Sequence, residues 1–133
     1  MLLNLQLLDQ YYQIKIADFG TTKLLDPHMT RLKGTIQWMA PEVIKHSTYT
    51  EKADVFSYGI ILHEIATRKP PYAGIDKKIV LENVSTYSDY RPKIPENVPR
   101  EFAELMISCW SYNPKKRPTF DEIIDKLNEM KLK

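Results

Sequence analysis

The spacing of apolar positions changes character along the chain. Leu5–Leu8 is a short apolar run. Over 13–17, Ile14 and Ile16 flank Lys15, the two-residue period of a half-buried strand. With a turn across 9–12 between them, the two segments read as a hairpin. Residues 18–40 keep no period and are rich in Thr, Lys and Gly, so they read as one long loop. Loops of that length in a compact domain are usually functional or disordered. A short helix with proline in its first turn is expected at 41–45.

Lys52–Thr67 is the strongest helical segment. Val55, Phe56, Tyr58, Ile60, Ile61, Leu62 and Ile65 cover most of its circumference, which marks a helix buried on several sides. Arg68-Lys69-Pro70-Pro71 ends it, with cations suited to the C-terminal dipole and prolines that stop the helix. A further helix is expected at 76–84, followed by an extended connection at 85–99 that holds Pro92, Pro95 and Pro99. The next helix spans 100–110, with Phe102, Leu105, Met106 and Cys109 on one face. Thr119-Phe120-Asp121-Glu122 has the form of a capping box. The helix it opens carries Phe120, Ile123, Ile124, Leu127 and Met130 at helical spacing. The expected fold is mainly α: a small hairpin, a long loop, and four or five helices around a central buried one.

At 133 residues, 43% of them hydrophobic and 27% charged, the chain has the size and composition of one globular domain. A net charge of +2 gives no reason to expect a nucleic-acid surface. Lys115-Lys116-Arg117 is too short a basic run to change that, and reads as a solvated patch. A single cysteine, Cys109, rules out an internal disulfide and accords with a reducing compartment. No apolar stretch approaches membrane-spanning length, and the first eight residues make a poor signal peptide. A cytoplasmic protein is the expectation.

Four motifs follow one another at regular distances. Asp18-Phe19-Gly20 closes the second strand segment. Gly34-Thr35-Ile36-Gln37-Trp38-Met39-Ala40-Pro41-Glu42 ends the long loop. Asp54-Val55-Phe56-Ser57-Tyr58-Gly59 lies on the apolar helix, and Arg117-Pro118-Thr119-Phe120 precedes the last helix. Asp-Phe-Gly alone recurs by chance, but four such motifs in one order do not. Together they resemble the C-terminal lobe of the eukaryotic protein kinase domain from Asp-Phe-Gly onward, over nearly the whole chain. Gly34-Thr35 ahead of Trp-Met-Ala-Pro-Glu, and Cys109-Trp110, are most similar to the tyrosine-kinase-like group of serine/threonine kinases.

The resemblance implies an incomplete α+β kinase fold over 1–133, with 18–42 as activation segment, and ATP-dependent phosphorylation of protein serine or threonine. Phosphoryl transfer needs magnesium held by oxygen ligands. Asp18 matches the family's magnesium ligand, and Asp18, Phe19 and Gly20 form the cofactor-binding turn. Thr35 matches the substrate-site threonine of the loop. Thr21, Thr22 and Thr30 are candidate phosphosites, although threonines are common in any loop. Glu42 and Arg117 match a buried ion pair tying the end of the loop to the C-terminal helices. Arginine suits that role because its planar fork grips a carboxylate with two hydrogen bonds. Asp54 matches an aspartate that holds amides of the catalytic loop.

Other family parts do not occur in these residues. The four glycines, Gly20, Gly34, Gly59 and Gly74, form no glycine-rich phosphate loop. His28, His46 and His63 are followed by Met29, Ser47 and Glu64, so there is no His-Arg-Asp triplet. The family's spacing puts the base aspartate one position before Met1. It puts the second magnesium ligand at Leu5, with Asn4 beside that slot. The 133 residues alone are therefore expected neither to bind ATP and magnesium nor to transfer phosphate. The resemblance implies a protein substrate or regulatory protein as partner; the alternatives are a non-catalytic kinase-like binding module that docks on such proteins, and a truncated relic. Without the helices that flank it in a whole domain, the central helix is expected to expose several of Val55, Phe56, Ile60, Ile61, Leu62 and Ile65 as an association surface. Asp54 is expected to be exposed or unsatisfied.

Overall fold

The computed structural model describes residues 5–8, 10, 13–17 and 36–131. Strands β1 (Leu5–Leu8) and β2 (Ile14–Ala17) pair antiparallel, with Leu5 opposite Ala17 and Leu8 opposite Ile14. Five helices follow among the described residues: α1 (Pro41–Ile44), α2 (Lys52–Thr67), α3 (Lys77–Thr86), α4 (Arg100–Cys109) and α5 (Phe120–Lys131). One-turn 3-10 helices occupy Ile36–Trp38 and Pro114–Lys116. The first of these gives regular structure to the end of what reads as an irregular loop.

Local chemistry accounts for the helix boundaries. α1 starts on Pro41, whose fixed φ suits the first turn and whose missing N–H needs no partner there. The Asp76 carboxylate accepts from the Lys78 amide at 2.7 Å, so Asp76 caps α3 instead of opening it. Ahead of α5 the capping box is formed in both directions. Glu122 accepts from the Thr119 amide at 2.7 Å, and the Thr119 hydroxyl accepts from the Glu122 amide at 3.2 Å.

α2 is the core. It packs against α4 and against both 3-10 helices, while α1 and the Ile36–Trp38 turn pack on α3. Gly59 sets the α2–α4 distance. A Cβ there would lie 2.9 Å from Cys109 Cβ, 3.2 Å from the Trp110 nitrogen and 3.3 Å from the Met106 carbonyl oxygen. Only a glycine allows the two helices this approach.

The apolar residues of α2 expected to be exposed are mostly covered. Val55, Phe56, Ile60, Ile61 and Leu62 are all buried, and of the six residues only Ile65 is exposed, at 57%. α4, Trp110, Tyr72 and Ile123 all belong to the cluster that includes α2, so its apolar sides meet apolar partners. Asp54 is buried and not exposed; its Oδ1 is a buried oxygen without a hydrogen-bond partner among the described residues, although the residue as a whole is not without interactions. On α5 only Ile123 is fully buried. Leu127 and Met130 pack at the margin of the core, and Ile124 is exposed.

Candidate functional site

The best-defined polar centre is built around Arg117, which lies between the Pro114–Lys116 turn and α5 and is 2% exposed. Its Nη1 donates to Glu42 Oε1 at 2.6 Å and its Nη2 to Glu42 Oε2 at 3.0 Å, the two-pronged grip of a guanidinium on a carboxylate. The remaining donors go to backbone carbonyls: Nη1 to Lys52 at 2.8 Å, Nε to Ser111 at 2.8 Å and Nη2 to Tyr112 at 3.3 Å. All five N–H groups of the guanidinium are thus engaged. Lys52 Nζ donates back to the Arg117 carbonyl at 2.6 Å. The charge is buried at tolerable cost because every donor is matched.

This clamp joins three regions distant in sequence: the start of α1 through Glu42, the start of α2 through Lys52, and the turn before α5. Two more bonds hold the segment ahead of α1 onto α2. The Ser57 hydroxyl donates to the Trp38 carbonyl at 2.7 Å, and the Trp38 indole donates to Glu64 at 3.2 Å. Residues 36–42 are therefore fixed on the central helix from both sides. The Lys45 ammonium donates to the Tyr112 hydroxyl, which donates to the Ser85 carbonyl, linking the end of α1 to α3.

A second, partly buried guanidinium, Arg91, shares an aromatic neighbour with the first. The Arg91 and Arg117 guanidinium carbons lie 4.9 and 5.1 Å from the Phe56 ring centroid. Arg91 donates to the Trp110 carbonyl at 2.9 Å and the Tyr90 carbonyl at 2.6 Å, and desolvation by burial lowers its pKa. Burial likewise raises the pKa of Asp54 above the ordinary aspartate value and pushes the Cys109 thiol up to about 11. Cys109 is thus an inert packing residue, since the reactive species is the thiolate.

Of the residues singled out by sequence, Glu42 and Arg117 are brought into contact, and Asp54 stands near them at the start of α2. Asp18, Phe19, Gly20, Thr21, Thr22, Thr30 and Thr35 lie outside the described residues. Among the described residues no three His, Cys, Asp or Glu side chains group to hold a metal ion. Ser57 lies within the Asp54–Gly59 motif but has no role assigned there, and Lys52 and Arg91 carry no motif-level signal. Arg91 is flagged only by its place between Tyr90 and Pro92, where an extended chain aims the side chain inward.

Comparison with known proteins agrees with this architecture. Residues 4–127 match the protein tyrosine and serine/threonine kinase family. A probable serine/threonine-protein kinase of Dictyostelium discoideum, drkC, is 40% identical over 129 residues, which is 93% of this chain and 17% of that protein. Human mitogen-activated protein kinase kinase kinase 7 is 43% identical over 111 residues, 84% of this chain and 18% of that protein. The chain thus spans less than a fifth of the length of either relative. No helix among the described residues is long and apolar enough to cross a membrane. With residues 4–127 matched, and with the four motifs and the buried Glu42–Arg117 pair in place, the chain belongs to the protein tyrosine and serine/threonine kinase family.

Proposed function

We propose that these residues form the peptide-side, C-terminal half of a serine/threonine kinase domain, with 18–42 as its activation segment, and that the 133 residues alone do not transfer phosphate. Members of the family use ATP and magnesium. In this reading both are held only when a nucleotide lobe and a His-Arg-Asp loop complete the site, with Asp18 as the magnesium ligand supplied from here. The observation that carries the reading is the rigid seat of residues 36–42, held by Arg117, Ser57 and Glu64. A protein substrate must be presented to the transferred phosphoryl group within a fraction of an ångström, so the loop beside it has to be fixed. Gly34-Thr35 leads directly into that seat, which favours serine or threonine as acceptor. A cytoplasmic location accords with the single buried thiol.

The test is a chimera in which the nucleotide lobe and catalytic loop of human mitogen-activated protein kinase kinase kinase 7 precede this chain. Transfer to serine or threonine of a protein substrate, abolished by Asp18→Asn, is the expected result. Transfer to tyrosine alone would overturn the acceptor assignment. A folded but inactive chimera would favour the second reading, a non-catalytic kinase-like binding module. The closed apolar packing around α2, which leaves only Ile65 of its six large apolar residues exposed, is the observation on that side.

A further inference from the structure

A cleft of about 660 Å³ opens between the C-terminal turn of α2, the turn at 69–75 and the extended stretch 90–97. Its volume lies within the range of small-molecule sites. Its lining is uneven in charge. Lys69, Arg91 and Lys93 contribute three cations, and among the described residues no carboxylate lines it. Asp89, the nearest acid in sequence to Arg91, lines the adjoining cleft instead. One wall is aromatic: Tyr72 and Tyr90 stack with their planes 4° apart and their centroids at 5.5 Å.

Three buried polar atoms on residues of this lining have no hydrogen-bond partner: His63 Nδ1, Tyr72 Oη and Arg91 Nη2. His63 and Tyr72 are 6% and 8% exposed. Buried polar groups are almost always paired, so three orphans around one cavity call for an explanation. The rest of each side chain is committed. His63 Nε2 is bonded to the Lys93 carbonyl at 2.9 Å, and Arg91 Nε and Nη1 hold the Trp110 and Tyr90 carbonyls. The Nη2 arm of Arg91 is thus left over on the same cleft lining as the Tyr72 hydroxyl. Tyr72 also sits at φ 54°, a left-handed conformation that is costly for a bulky residue and recurs at ligand clamps.

We propose that this cleft binds a small organic carboxylate with an apolar body, the body lying between the tyrosine pair and the proline-rich wall and the carboxylate meeting Arg91 Nη2 and the Tyr72 hydroxyl. The lysines at the rim draw the anion in. Because the orphan atoms are shut off from solvent, engagement requires the Tyr72 ring to turn aside. The site lies apart from the Glu42–Arg117 clamp and does not depend on the kinase reading.

The probe is 3-phenylpropanoate, with 3-phenylpropan-1-ol as the uncharged control, titrated into the full chain and followed by amide NMR shifts. The acid is expected to saturate shifts at 66–75 and 90–97, and to bind about tenfold or more tighter than the alcohol, since bonds to a charged group are the stronger ones. Tyr72→Phe should weaken the acid about three- to tenfold, leave the alcohol unchanged, and leave the free protein's melting temperature unchanged or higher. Lys69→Gln should weaken the acid and not the alcohol. Equal affinity for acid and alcohol, shifts centred elsewhere, or no saturation by about 10 mM would overturn the proposal.

Discussion

Replacing Arg117 by alanine probes the feature on which the lobe's architecture depends. The substitution removes five hydrogen bonds at once and empties a site where the side chain has no exposure. Glu42, whose side chain is only 12% exposed, then keeps a carboxylate without its countercharge, and the Lys52, Ser111 and Tyr112 carbonyls lose a donor. Breaking a buried pair from one side costs about 3–5 kcal/mol. The Phe56 ring also loses one of its two guanidinium neighbours. A small domain has roughly 5–15 kcal/mol in total, so Arg117→Ala should lose about a fifth of it or more. Arg117→Lys keeps the charge but cannot reproduce the fork, and should fall between the two. The double variant Glu42→Leu with Arg117→Met should be more stable than Arg117→Ala, because no charge is stranded. Urea denaturation followed by far-ultraviolet circular dichroism reads all three. An unchanged midpoint in Arg117→Ala, or a double variant at least as unstable as the alanine single, would refute the assignment of the clamp as the principal tie.

Gly59→Ala should destabilise although alanine is the better helix former. The new Cβ meets Cys109 Cβ at 2.9 Å, and overpacking of about 1–3 kcal/mol outweighs the roughly 1 kcal/mol propensity gain; a raised melting temperature would contradict this. Glu122 is held below its ordinary carboxyl value of 4.5, chiefly by the Thr119 amide. A carboxyl with a lowered folded-state pKa adds stability that is present above the unfolded value and lost as the pH falls through the folded one. Glu122→Gln should therefore flatten the loss of stability on acidification below pH 4.5, and identical acid limbs in the two proteins would count against the capping box. Ser57→Ala should leave the core intact but loosen residues 36–40, detectable as faster amide exchange there than in α4; unchanged exchange would show that the Trp38 carbonyl does not need that bond.

Much of the fold was legible because local signals agree with packing. Pro41, Asp76, Pro99 and the Thr119–Glu122 box stand at or beside helix starts for reasons that operate within a few residues. The all-round apolar character of α2 announced a buried helix but not what covers it, and there the sequence reading failed. Coverage by Tyr72, Trp110 and Ile123 depends on chain paths many residues away, which no periodicity records. Glu42 and Arg117 are 75 residues apart, and only the family resemblance suggested their contact. The cleft beside Arg91 was invisible for a further reason. It arises from a left-handed tyrosine at a position where sequence favours no such conformation, and from atoms that lack partners.

The central claim is that these residues supply the peptide side of a kinase domain and not its phosphoryl-transfer machinery. The most direct measurement is transfer of radiolabelled phosphate from ATP to a protein substrate by the purified 133-residue chain, beside its Asp18→Asn variant. A general base alone is worth about 10²–10⁴ in rate, and the nucleotide lobe is needed besides. The account predicts no turnover above background in either protein. Turnover by the unaltered chain that disappears in Asp18→Asn would contradict it.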